Sequence, residues 1–301
     1  MKKFSSILVV LLLMMASFTA GLEYPRGDVD QNGEVNIGDA VTLIDYLLNG
    51  YWPDEAPTPT TGQTFTVNGV SFTMIPVEGG TFMMGATQEQ INYSNDCMDI
   101  SKPVHEVTLS DYSIGQTEVT QALWQAVMGS NPSHFMGDPL RPVDFVTWKD
   151  CQRFITKLNE LTGQNFRLPT EAEWEFAARG GNYSMGYVFS GSNELNDVAW
   201  HYRNSGTDIT HSVGLRRPNE IGLYDMSGNV CEWCQDYYGS YTSEAQTNPT
   251  GPETPDSYNS RVIRGGCYDW GIYTYGDCRV SRRYNLCEQC TLQYIGLRLA
   301  M

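Results

Sequence analysis

From residue 180 onward the chain is rich in Gly, Asn, Ser and Tyr, and only two brief strand-like runs, at residues 261–264 and 295–299, break the irregularity. Irregular backbone pairs few of its own N–H and C=O groups, so a fold with this much of it needs disulfides or metals to hold its loops. Eight cysteines are available: Cys97, Cys151, Cys231, Cys234, Cys267, Cys278, Cys287 and Cys290. Eight cysteines allow about 105 pairings, and the sequence does not choose among them. The first part of the chain is more regular, with strand-like runs at residues 72–77, 81–85 and 106–114. One helix is expected after Thr147, with apolar residues at Cys151, Phe154, Ile155, Leu158 and Leu161 and a stop at Gly163. A second starts at Thr170, where Glu173 completes a capping box before Trp174, Phe176, Ala177 and Ala178. The expected class is α+β.

The N-terminus has the pattern of an export signal over residues 1–20: Lys2 and Lys3, an apolar run from Ile7 to Ala16, then small residues to Ala20. The run is too short to span a bilayer, so no membrane span is expected after cleavage, and the protein is expected to be secreted, periplasmic or at the cell surface. A formal net charge of −16 opposes affinity for nucleic acid. Residues 51–64, with three prolines and several threonines, read as an extended linker between residues 21–50 and a main domain at 65–301.

Within that N-terminal segment Asp28, Asp30, Asn32, Glu34, Asn36 and Asp39 fall at the ligand spacing of a calcium loop, with Gly33 at the sharp turn. Val41, Ile44, Leu47 and Leu48 follow as one face of a short helix. The segment resembles one dockerin calcium repeat, which implies EF-hand-like folding and a cohesin-type partner. Dockerins carry two repeats and this chain has one.

In the main domain, Thr117-Glu118-Val119-Thr120, Asn131-Pro132-Ser133, Arg141-Pro142-Val143 and Arg167-Leu168-Pro169-Thr170-Glu171 occur in order. They are followed by Leu223-Tyr224-Asp225-Met226-Ser227-Gly228-Asn229-Val230-Cys231-Glu232-Trp233, Arg264-Gly265-Gly266 and Ile295-Gly296-Leu297-Arg298. These blocks resemble the formylglycine-generating (sulfatase-modifying factor) domain, which implies a C-type-lectin-like variant with little regular secondary structure. The resemblance also implies a structural calcium held by the Asp225 and Glu232 carboxylates and the Gly228 and Val230 carbonyls. Active members oxidise a substrate cysteine with copper held by two cysteines five residues apart. Here Trp270 and Tyr275 occupy those positions, and neither supplies the soft sulfur donor that Cu(I) prefers. Copper is therefore not expected, and Cys267, which matches an active-site serine of the family, and Cys278 are expected in disulfides. The two Cys-x-x-Cys pairs, Cys231/Cys234 and Cys287/Cys290, also fit a zinc site by composition.

Residues 261–301 hold six arginines against three acids, interleaved with tyrosines and Trp270. Two readings stand: a ligand surface built on Cys267, Trp270, Tyr275, Arg279 and Arg282, or arginines that tie loops together through carboxylates. The expected function is a non-catalytic binding or structural module for a protein, peptide or glycan. The alternative is a formylglycine-generating or other metal-dependent oxidase of the same family.

Overall fold

The computed structural model describes residues 61–88, 90, 100–206, 209–269 and 277–301. The export signal, the calcium loop from Asp28 to Asp39, most of the linker, Cys97, Trp270 and Tyr275 lie outside the described residues. The chain divides into two units, Met1–Thr58 and Pro59–Met301, and the second is described below.

Among the described residues the strands form three small sheets. β1 (Gln63–Val67), β2 (Val70–Val77) and β5 (Tyr112–Gly115) make an antiparallel set in the order β1-β2-β5. β3 (Thr81–Met84) pairs antiparallel with β4 (His105–Thr108), and β4 pairs parallel with the two-residue β7 (Gln246–Thr247). The third sheet runs β10-β6-β8-β9, with β6 (Cys231–Tyr237), β8 (Ser260–Arg264), β9 (Arg283–Cys287) and β10 (Ile295–Leu297). β10 lies parallel to β6, and the other two pairings are antiparallel. This is a mixed α+β fold. The first strand opens at Gln63, and the run at 106–114 divides into β4 and β5, which join different sheets.

Both anticipated helices form where their caps place them. α2 (Trp148–Thr162) starts at Thr147, whose hydroxyl accepts from Asp150 N while Asp150 reaches back to the Thr147 amide. It ends at Gly163 in the left-handed region, φ 68. α3 (Glu171–Ala178) carries the Thr170–Glu173 capping box. Leu161, counted into the α2 stripe, is instead exposed at 53%. α1 (Gln121–Met128) is a helix that the pattern hides, because buried Gln121 interrupts its apolar face. That amide is satisfied by donating to the Phe135 and Pro142 carbonyls.

Two apolar clusters fill the interior. In one, Phe154 and Leu158 of α2 meet Trp124 of α1, Trp233 of β6 and Leu297 of β10, and the Trp124 and Phe154 rings stack at 4.8 Å. In the other, Trp174 and Phe176 of α3 pack with Ile75, Val107 and Val262.

α3 is buried on every side, including Glu171, Glu173 and Glu175. Those carboxylates survive burial because arginines from distant segments meet them. Arg283 of β9 donates to Glu171 at 2.8 and 2.6 Å, and Arg167 grips Glu173 with two 2.6 Å bonds. Glu175 receives Arg264 of β8 and Arg179 together. Arg298, fully buried past β10, closes on both oxygens of Glu232 at 2.7–3.0 Å and donates to the Gly115 and Tyr224 carbonyls, each at 2.8 Å. Five of the six C-terminal arginines, Arg261, Arg264, Arg279, Arg283 and Arg298, are therefore interior counter-ions.

Candidate functional site

β8 leaves the sheet at Arg264 and enters the Gly265-Gly266-Cys267 turn. A Cβ added at Gly266, φ 70, would sit 2.8 Å from the Asp277 carbonyl oxygen and 2.9 Å from the Cys278 Cα. Glycine is required there, and it brings the two ends of the segment 267–278 together. Each end is then fastened. The Asp277 amide donates to the Tyr284 hydroxyl, which donates back to the Asp277 carbonyl, both at 3.0 Å. Arg279 clasps the Asp277 carboxylate at 2.6–2.9 Å and donates to the Gln90 carbonyl at 2.6 Å. The Ser227 hydroxyl donates to the Cys278 carbonyl at 2.8 Å. On the opposite flank the Tyr268 amide donates to the Asn229 carbonyl at 3.0 Å, and its ring meets Phe135 edge-on at 5.6 Å.

Three buried thiols underlie the turn. The Cys231 and Cys267 side chains hydrogen-bond to each other, and the Cys267 amide donates to the Cys278 sulfur. Burial, reinforced for both by Cys267, pushes the Cys231 and Cys278 thiols well above their usual pKa. Both are neutral at physiological pH, which is the opposite of an activated nucleophile. The expectation of disulfides at Cys267 and Cys278 is corrected: both are thiols, and the disulfide among the described residues joins Cys287 to Cys290. That bond also removes the zinc reading, since Cys287 and Cys290 spend their sulfurs on each other.

The predicted ligand surface is only partly assembled. Cys267 lies beneath the turn at 1% exposure, and Arg279 is sealed on Asp277, so neither faces solvent. Arg282 is partly exposed, with its guanidinium 5.2 Å from the Tyr284 ring centroid.

Below the turn the Asp225–Glu232 segment packs on Glu118, which sequence reasoning passed over although it belongs to a quoted block. Glu118 accepts from Asn229 Nδ2 at 2.7 Å and from the Val230 amide at 3.0 Å. Burial first, then Asp225 and Glu232, hold its carboxyl well above the usual range. Gly228, φ 87, lies so close to the Trp200 carbonyl oxygen that a Cβ would reach it at 2.4 Å.

The implied calcium set fits this geometry only in part. Asp225 has one oxygen occupied by the Gly214 amide at 2.7 Å and a second, buried Oδ1 with no partner, and burial raises its pKa to about 6. Both Glu232 oxygens, in contrast, are filled by Arg298 and by the Trp174 indole N–H at 2.7 Å. Asp225 Oδ1 with the Gly228 and Val230 carbonyls is the open part of the implied donor set, and a cation on Glu232 would share its oxygens with Arg298 and Trp174.

A small-sheet α+β fold whose interior is braced by arginine–carboxylate pairs, with a Gly-Gly turn over buried thiols, defines the class. A family profile for the sulfatase-modifying factor enzyme 1-like domain matches residues 63–301, and the chain belongs to that family. It is 36% identical over 246 residues to the chaperone protein LppX of Paenibacillus barcinonensis, covering 65% of this chain and 79% of that one. It is 35% identical over 196 residues to a formylglycine-generating enzyme of Streptomyces coelicolor, covering 60% of this chain and 59% of the enzyme's length. Among solved structures, Treponema denticola variable protein 1 superimposes with a TM-score of 0.69 at 33% identity, covering 80% of this chain and 98% of that one. No helix among the described residues is long and apolar enough to cross a membrane.

Proposed function

We propose that the chain is a non-catalytic, exported binding module of its family, which presents the segment between Asp269 and Asp277 to a protein or peptide ligand. The observation that carries this reading is the fastening of both ends of that segment: Gly266 against Asp277 and Cys278, Asp277 on Tyr284 and Arg279, Tyr268 on Asn229. Such a base holds the two ends of the segment in place without supplying chemistry of its own. The residues at the family's copper positions, Trp270 and Tyr275, carry rings suited to contact area. The nearby thiols Cys231 and Cys278 are buried and neutral. The similarity to a chaperone and to a variable protein supports a binding role. The N-terminal loop from Asp28 to Asp39 is a calcium site on this reading, and Asp28→Ala in the full chain is expected to lower calcium binding by calorimetry.

Incubating the protein with Cu(I), oxygen and a Cys-x-Pro-x-Arg peptide tests the central point. The peptide thiol is expected to persist by mass spectrometry. Conversion of its cysteine to an aldehyde would overturn the non-catalytic reading.

A further inference from the structure

At the other end of the β6–β8 ladder, where Tyr237 rather than Glu232 meets β8, a cavity of about 340 Å³ opens. Its base is the first residue of α3. The Glu171 amide donates to Asp236 Oδ2 at 2.9 Å, while the Glu171 carboxylate takes two bonds from Arg283 and one, at 3.0 Å, from the Tyr241 hydroxyl. The third Arg283 nitrogen donates to the Gly239 carbonyl at 2.7 Å, and Arg264 Nε lies 3.8 Å from Glu171 Oε1, so Glu171 is matched by two arginines.

Two polar atoms of lining residues are left over. Among the described residues no hydrogen bond reaches Asp236 Oδ1 or His105 Nε2, although the two residues are only 4% and 3% exposed. His105 Nδ1 lies 3.1 Å from the Pro103 carbonyl. That contact puts a proton on Nδ1, and Nε2 has no hydrogen bond among the described residues. Burial first, and the neighbouring Glu171 charge second, raise Asp236 to about 8, so at neutral pH its carboxyl is a neutral donor. Neither atom is among the fully buried, partnerless polar atoms, so water reaches both, and a ligand hydroxyl that takes the place of that water keeps their hydrogen bonds. The volume is at the lower end of small-molecule sites. An anion or a cation would have to disturb the buried network in which Arg283 and Arg264 match Glu171, whereas an uncharged ligand leaves it intact.

We infer that this cavity binds an uncharged polyhydroxylated ring, one or two sugar units, whose hydroxyls pair with Asp236 and His105 and whose apolar face rests against Met84 and Pro252. The inference is independent of the ligand proposed for the Asp269–Asp277 segment. The same chemistry comes from a free sugar or from the end of a neutral polysaccharide, and two arms of one experiment separate them.

The full chain is titrated calorimetrically at pH 7 with glucose, galactose, mannose, N-acetylglucosamine and their disaccharides, and in a second arm with soluble neutral polysaccharides. Glucuronate and glucosamine serve as charged comparators. Saturable binding of a neutral sugar is expected, weakened about tenfold or more by Asp236→Ala and restored by Asp236→Asn, whose amide donates in place of the acid. Thr250→Trp, a substitution at an exposed rim residue, is expected to abolish binding with the melting temperature unchanged, which keeps the test decisive if Asp236→Ala fails to fold. Binding in the first arm supports a free sugar, and binding in the second alone supports a polysaccharide end. Absence of saturable binding in both arms, equal affinity for the charged comparators, or full binding by Thr250→Trp would overturn the inference.

Discussion

Replacing Arg298 by methionine tests whether the interior is braced by charge. Arg298 is fully buried, and the substitution removes its bonds to both Glu232 oxygens and to the carbonyls of Gly115 and Tyr224. Breaking one side of a buried ion pair costs about 3–5 kcal/mol, because the remaining charge is uncompensated. Set against a domain stability of about 5–15 kcal/mol, the loss is expected to be about a fifth or more of the total. Urea unfolding at pH 7 should show it as a lower midpoint at constant slope. Adding Glu232→Leu should recover part of the loss, since an apolar pair of similar volume escapes the desolvation penalty. The deficit should also deepen as pH rises from 5 to 8. Arg298 lowers the proton affinity of Glu118 and Asp225, and without it their folded pKa values rise further above the unfolded ones, so stability is lost as pH climbs through them. A single variant within about 1 kcal/mol of the wild type, or a double variant whose loss is simply additive, would refute the bracing argument.

Two further outcomes are expected. Asp236, held at about 8 in the folded state, contributes stability that is complete below its unfolded pKa of about 3.9 and is lost progressively up to about pH 8. Asp236→Asn should therefore flatten the pH profile of urea unfolding, by on the order of 1 kcal/mol per pH unit across that window; parallel profiles would contradict the shift. The buried thiols of Cys231, Cys234 and Cys278 should resist iodoacetamide in the native protein from pH 7 to 9 and label in urea, as mapped by peptide mass spectrometry. Rapid native labelling at any of the three would show an opened interior.

Two helices were legible from their ends, as Thr147 and Gly163 bound α2 and Thr170 with Glu173 starts α3; α1 has ends of the same kind, Thr120 and Gly129, but no clear apolar stripe between them. α1 was hidden because its buried Gln121 looks like a surface residue until the Phe135 and Pro142 carbonyls that hold it are in view. The same limitation governs the candidate site. Arg279 reads as a ligand contact in sequence, and becomes a clasp only when Asp277 and the Gln90 carbonyl are placed around it. Glu118 carries no local sign of burial, because the groups that need it, Asn229 and the Val230 amide, are more than a hundred residues away. Spacing along the chain reports caps and strands, whereas buried charge is decided by partners that only folding brings into reach.

The contact of Gly266 with Asp277 and Cys278 means that entry and exit of the intervening stretch share one doorway. Rewriting the residues between those posts changes neither the closure distance nor the sheet behind it, and lengthening the stretch carries only a slowly growing entropic cost. The fold can therefore keep its framework while the sequence between those two posts changes.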